Sequence, residues 1–152
     1  MKERFTRLFA RPEMAVVIFA FLLNFIWEFW QLPYYANAPN MPHWEGTKMC
    51  TLATFGDAGI ALAAFLAASF VAGTRDWLRD GAEKKTIATF IAVGLAITVS
   101  AEWVLADLLG QWSYAEGAPT IFGIGLTPFL QWLVVPIFVI LLARPYLRGM
   151  QT

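Results

Sequence analysis

The sequence has almost no cysteine and little charge. One cysteine, Cys50, stands among 152 residues, which excludes an internal disulfide and every paired-cysteine metal or redox motif. Charged residues make up 14% of the chain and balance to a net charge of +0. No basic tract is interleaved with aromatic residues, so nothing supports nucleic-acid binding. Internal repeats and low-complexity segments are also missing, so we expect one domain over residues 1–152.

Charge is absent from four long stretches, at residues 14–27, 58–74, 86–101 and 117–143. Hydrophobic residues make up 59% of the chain, more than an ordinary soluble domain hides. A helix that crosses a bilayer needs about 20 mostly apolar residues. We therefore predict an all-α, polytopic membrane protein, a four-transmembrane-helix bundle with spans near 14–33, 51–73, 86–109 and 121–143. The first run carries Glu28 and exceeds the roughly 7–15 residues of a signal-peptide core, so we expect it to remain as a span.

The cations predict the orientation, because short cytoplasmic loops retain Lys and Arg. Ten of the 11 lie before the first span, between the second and third, or after the fourth: Lys2, Arg4, Arg7, Arg11, Arg75, Arg79, Lys84, Lys85, Arg144 and Arg148. Only Lys48 lies in the other two loops. We therefore expect both termini in the cytoplasm (N-in/C-in), in a bacterial inner membrane.

Polar residues inside the spans are the informative ones, because each is costly in lipid and faces the bundle interior or a wet cavity. In the first span these are Asn24, Trp27, Glu28 and Gln31, at offsets of three, four and seven residues that place them on one helical face. Asp57 in the second span and Glu102 in the third lie at a similar depth below the outer end. The sequence therefore predicts three carboxyl groups at one level.

No Lys or Arg lies at this depth to neutralise the three acids. Three close carboxyl groups in a low dielectric cannot all stay ionised, so we expect either a protonated acid or a bound cation. Glu28, Asp57 and Glu102 are therefore our candidate catalytic residues, with one as general acid and another as general base. The alternative is that the polar side chains only hold the helices together by hydrogen bonding.

Further polar and aromatic residues surround this level. Thr127 and Gln131 share a face of the fourth span, and Pro128 and Pro136 should free the carbonyls of Ile124 and Trp132. The candidate substrate-binding residues are Asn24, Trp27, Gln31, Trp103, Thr127 and Gln131. We assign the remaining outer aromatics to an interfacial belt: Trp30, Tyr34, Tyr35, Trp112 and Tyr114. The spacing of His43 and Cys50 matches no metal motif, and we expect neither a metal nor a cofactor.

Several short elements carry a resemblance to known proteins. They are Asn24-x-x-Trp27-Glu28-x-x-Gln31, Gly56-Asp57, Glu102-Trp103, Trp112-x-Tyr114 and Gly125-Leu126-Thr127-Pro128-x-x-Gln131. Over nearly its whole length the chain resembles small bacterial integral membrane proteins of uncharacterised function, which implies four helices and no particular activity. Trp27-Glu28 also resembles an element of the membrane-bound terpene cyclases. That resemblance implies protonation of an isoprenoid, with Glu102 or Asp107 as the later acid.

The sequence leaves three functions open. The first is a membrane enzyme, with an acidic cavity open to the outer leaflet, that isomerises or cyclises an isoprenoid-like lipophile. The second is a non-catalytic subunit of a larger membrane complex that binds lipid, pigment or quinone, and a homo-oligomer is also open. The third is a proton or cation pathway, although the inner halves of all four spans lack ionisable groups.

Overall fold

The structure is a computed structural model and describes residues 7–150. It contains four long helices: α1 Pro12–Gln31, α2 His43–Ala72, α4 Lys84–Glu102 and α5 Leu126–Gly149, with a short helix α3 Trp77–Asp80 between α2 and α4. The long helices, two of them extended by further turns, are all long and apolar enough to cross a membrane. The prediction of an all-α bundle of four spans is therefore confirmed, and the chain is an integral membrane protein.

The second helix, α2, begins at His43, whereas the sequence predicted a span that begins near Thr51. His43, Trp44, Glu45 and Lys48 are exposed in its first two turns, and Lys48 and Glu45 form an ion pair of 2.7 Å. Thr47 also donates its hydroxyl to the carbonyl of His43. Hydropathy reports which part of a helix meets lipid, so it misses turns that project beyond the apolar layer.

The fourth helix begins later than predicted, at Leu126 instead of residue 121. The preceding residues form an antiparallel hairpin of β1 Thr120–Ile121 and β2 Ile124–Gly125. Its turn residues Phe122 and Gly123 have φ of 52° and 82°, the positive values that a type I′ hairpin turn requires. Pro128 lies in the first turn of α5, where the backbone N–H has no helical partner in any case. The prediction that Pro128 frees a helical carbonyl at Ile124 is therefore wrong.

The third span also differs in its last turns. The α-helical part α4 ends at Glu102, and the chain continues as a π-helical turn over Trp103–Leu108. Such turns are rare and change the direction in which successive side chains point. Two further short 3-10 turns, Leu32–Tyr34 and Ala38–Asn40, follow α1.

The four long helices pack as a square. Helices α1 and α4 each contact α2 and α5, so α1 lies diagonally opposite α4 and α2 diagonally opposite α5. At one end, Arg79 donates to the carbonyl of Ala10 at 2.9 Å and Tyr146 donates to that of Phe9 at 3.2 Å. We call this the basal end, and the opposite end, which holds the 32–42 and 109–125 loops, the loop end. Lys2 and Arg4, which contributed to the predicted orientation, lie outside the described residues.

The basal half of the interior is apolar. Its buried side chains are Phe65, Trp77, Leu78, Phe90 and Leu147. The Trp77 ring stacks on Phe65 with centroids 5.5 Å apart and lies 5.9 Å from Phe90. The indole N–H of Trp77 donates to Ser69, so α3 closes this end without leaving that donor unpaired. Ser69 and Thr86 are buried here as well, but the buried carboxyl and amide side chains are confined to the loop-end half.

Candidate functional site: a carboxyl cluster inside the bundle

The centre of the site is a pair of carboxyl groups from adjacent helices. Glu28 projects from α1 and is only 4% exposed, and Asp57 projects from α2 and is half-buried. The two side chains lie close enough to each other to form a hydrogen bond. Two carboxyl groups form such a bond only when one of them carries a proton, since two carboxylates offer acceptors alone. The pair is thus arranged to share one proton.

A single amide ties this pair to the rest of the bundle. Gln131 reaches across the diagonal from α5 and donates through Nε2 to Asp57 Oδ2 at 2.9 Å. The same nitrogen donates to Asn24 Oδ1 at 2.8 Å, so both of its N–H groups are used. Gln131 therefore joins three of the four helices at one point and fixes the position of Asp57.

The remaining long helix, α4, supplies Glu102 at its C-terminal end. Glu102 is buried and lies close enough to Glu28 and Asp57 to interact with both electrostatically. The hydroxyl of Tyr114 donates to Glu102 Oε2. The Tyr114 ring lies directly on Gly125, where a Cβ would overlap it, which explains why this position is glycine. Burial and the neighbouring Glu102 raise the pKa of the Tyr114 phenol, which therefore remains a donor.

A second tyrosine completes a cover over the loop end of the cluster. Tyr35 accepts a hydrogen bond from Gln31 Nε2, and its ring stacks on that of Tyr114 with centroids 5.7 Å apart. Burial and the nearby Glu28 raise the pKa of the Tyr35 phenol as well. We call Tyr35 and Tyr114 the tyrosine lid. The prediction that both belong to an interfacial aromatic belt is wrong, because their hydroxyls belong to this buried network.

Backbone pairing between two loops holds the lid in place. The N–H of Ala36 donates to the carbonyl of Ser113 at 2.9 Å, and that of Ala115 donates to Tyr34 at 2.8 Å. These bonds form a β-bridge between Tyr35 and Tyr114. No periodicity in the sequence marks either tyrosine, since both lie outside the regular helices, and only the Trp112-x-Tyr114 element pointed to the second.

The structure brings most of the predicted residues together. Asn24, Glu28, Asp57, Glu102 and Gln131 form the cluster itself. Gln31 belongs to the lid side, where Trp27 donates its indole N–H to Gln31 Oε1 at 3.2 Å. Thr127 is buried in the first turn of α5.

Two aromatic or acidic candidates lie elsewhere. Trp103 is 52% exposed on the outside of the bundle, at the start of the π-helical turn, and so does not join the cluster. Asp107, in the same turn, is exposed as well. Of the two later acids that the terpene-cyclase resemblance left open, only Glu102 lies beside Glu28.

The surroundings of the cluster complete its chemistry. Cys50 is buried, with Sγ 3.6 Å from the carbonyl oxygen of Glu28. Within residues 7–150, no group of three His, Cys, Asp or Glu side chains is placed to hold a metal ion. The ion pairs formed between residues of this part of the chain do not include any of the three clustered acids.

The fold and the site together define a class, a four-helix integral membrane protein with a carboxyl cluster in its interior. No protein-family model matches the chain, and no curated protein or solved structure matches it either.

Proposed function

We propose that this protein is a membrane enzyme whose carboxyl cluster gives a proton to an isoprenoid-like lipophile and takes another away, so that the substrate is isomerised or cyclised. The observation that carries the proposal is the contact between Glu28 and Asp57. A carboxyl group held beside another in a buried site keeps its proton at a pH at which an exposed one loses it, which supplies an acid for catalysis. One of the pair is the proton donor.

Access to the acid supports a substrate that arrives through the lipid. Asp57 is half-buried, whereas Glu28 and Glu102 are buried. The neighbours of Asp57 on α2, Ala53 and Gly56, are exposed, and a Cβ at Gly56 would meet no atom within 4 Å. Asp57 lies 14 residues into α2, or roughly 21 Å along the helix, so this opening lies within the apolar span. The tyrosine lid covers the other approach, from the loop end.

Glu102 suits the role of base. It accepts a hydrogen bond from Tyr114, whereas Glu28 and Asp57 are placed to share a proton. Different surroundings for neighbouring carboxyl groups are what separates an acid from a base within one site. Trp27, which is half-buried one residue from Glu28, would stabilise positive charge on the substrate through its ring face. Asn24, Gln31 and Gln131 would orient the acids.

The basal end would face the cytoplasm of a bacterium. Its cations include Arg75, Lys84, Lys85, Arg144 and Arg148, whereas the loop end carries Lys48 alone among the described lysines and arginines. The tyrosine lid would then face the periplasm, and the cluster would lie in the outer leaflet half.

A second candidate function is a non-catalytic subunit of a membrane complex, and the open surface of α2 favours it. Gly56 and Gly59 have no atom within 4 Å of an added Cβ, so neither packs closely against another helix of the described chain. Small residues on the outside of a membrane helix allow a partner helix to approach closely. The same surface would then be covered by a protein instead of a substrate.

Mass spectrometry of the native protein, with extraction of its bound lipids, distinguishes the two. We would compare the wild type with Glu28→Gln and Asp57→Asn, and use Asp107→Asn as the matched control because Asp107 is an exposed acid at the same end. The enzyme proposal expects a co-purifying isoprenoid that is lost or chemically altered in the two cluster variants only. An empty protein in all four samples would overturn it. A companion protein lost on Gly56→Leu would establish the second candidate.

A further inference from the structure

A small cavity lies in the bundle between the carboxyl cluster and the apolar basal half. Its volume is about 10 Å³, and its wall includes Asn24, Ala61, Trp132, Pro136 and Val139. A cavity of roughly this volume holds one water, provided that polar partners line it. Two residues of its wall, Asn24 and Trp132, carry such polar groups.

The indole of Trp132 needs a partner. Trp132 is 3% exposed, and its Nε1 has no hydrogen-bond partner within the described chain. The ring cannot easily turn to find one, because it packs directly on Gly94, where an added Cβ would overlap it. Buried donors are almost always paired with protein or with ordered water, so an unpaired one marks a place for water.

Two other polar groups belong to the same wall. Pro136 has no backbone N–H, so the carbonyl of Trp132 four residues earlier lacks its helical donor. Asn24, from α1, accepts from Gln131 and thereby connects the cavity wall to Asp57. A buried water makes about three hydrogen bonds, and the residues of this wall carry that number of polar groups.

We propose that this cavity is a binding site for one internal water, which accepts the indole N–H of Trp132 and fixes Asn24. Through Asn24 and Gln131 the water acts as a positioning group for Asp57, and it touches no substrate. The site depends on the packing of all four long helices and not on the proposed enzymatic function.

Nuclear magnetic resonance of the protein labelled with ¹⁵N in its tryptophan indoles tests the site in nanodiscs. We expect a cross-peak between the Trp132 indole proton and water, with the signal assigned by its loss in Trp132→Phe. Trp77 is the control, because it is equally buried but donates to Ser69. Its indole should show no such cross-peak. If the Trp132 indole, like that of Trp77, shows no cross-peak with water, the proposal is overturned.

Filling the cavity provides the second test. Ala61→Val adds two methyl groups to the wall and should abolish the Trp132 cross-peak while the Trp77 signal stays in place. Ala63→Val, on the exposed face of the same helix, should leave the cross-peak unchanged. Val139→Ile fills the same space should Ala61→Val fail to fold. A cross-peak that survives filling would place the water elsewhere and refute this site, without bearing on the effects of Glu28→Gln.

Discussion

The two halves of this bundle use the same four helices but bury opposite kinds of side chain. The basal half contains a stack of Phe65, Trp77 and Phe90, with ring centroids 5.5 and 5.9 Å apart. The loop-end half buries Asn24, Glu28, Glu102 and Gln131 at the same depth inside the protein. The first arrangement depends mainly on shape, with a single polar contact from Trp77 to Ser69, whereas the second needs a partner for every polar atom.

The difference indicates a division of roles. In a bilayer, helices associate through close packing and hydrogen bonds, because lipid is as apolar as a leucine side chain. A polar amide pair would be enough to add a hydrogen bond between helices. Carboxyl groups are a more costly way to make the same contact, so three of them in one layer indicate a role beyond stability. We therefore expect substitutions in the basal half to change the free energy of unfolding. Substitutions in the loop-end half should change the protonation and the proposed activity of the cluster more than the free energy of unfolding.

The largest effect on stability should come from Phe65→Ala in the basal half. Phe65 is 0% exposed, so its removal leaves a cavity, and we expect a loss of about 2–3 kcal/mol in the free energy of unfolding. Phe70→Ala is the matched control on the same helix, since Phe70 is 89% exposed and should change stability little. Unfolding titrations in mixed micelles measure both. Equal losses in the two variants would show that packing does not hold the basal half together.

A smaller loss is expected at the centre of the cluster from Gln131→Leu. The substitution removes both hydrogen bonds from Gln131 and leaves Asp57 and Asn24 without their donor. Hydrogen bonds between membrane helices contribute modestly, so we expect a loss of about 1–2 kcal/mol. Ser100→Ala, which removes an exposed hydroxyl bonded only within α4, is the control. A loss as large as that of Phe65→Ala would make the cluster a stability element and remove the contrast between the halves.

The sequence predicts the two halves unequally well. Charge-free runs place all four spans, and the spacing of Asn24, Glu28 and Gln31 correctly predicts one buried face. The contact between Asp57 and Gln131 depends on α2 and α5 being diagonal partners, which no local pattern specifies. The tyrosine lid depends on pairing between two loops, and the hairpin before α5 depends on the positive φ of Phe122. The apolar half can thus be predicted from composition, whereas the polar half depends on tertiary contacts.

The difference between an effect on stability and an effect on protonation should be greatest at Glu28, where we expect almost no change in the free energy of unfolding. Glu28→Gln keeps the shape of the side chain and removes the need to bury a titratable group, so the free energy of unfolding should stay within about 0.5 kcal/mol. The proton shared with Asp57 should nevertheless be lost or moved. Infrared spectroscopy would show this as a change in the carboxylic acid C=O band that shifts in D₂O. An unchanged band would contradict the shared proton, and Asp107→Asn should leave the band as it is.

The smallest effect should appear in the lid, and only in alkaline solution. The folded state raises the pKa of Tyr114 above its ordinary value, so the folded chain still binds the phenol proton at a pH where the unfolded chain, with a tyrosine pKa of about 10, has lost it. The free energy of unfolding should therefore fall as pH rises above about 10, because the unfolded state then binds fewer protons.

Tyr114→Phe removes this contribution, so its stability should fall less steeply than that of the wild type between about pH 9 and 11. Thermal unfolding in detergent across this range measures the two slopes, and Tyr34→Phe, from the 3-10 turn next to the lid, is the control. Tyr35 stays in both proteins, so its titration differs between them only through its interaction with Tyr114. Parallel slopes for wild type and Tyr114→Phe would mean that Tyr114 is not held as a buried donor to Glu102. The polar half would then be open to water at the loop end.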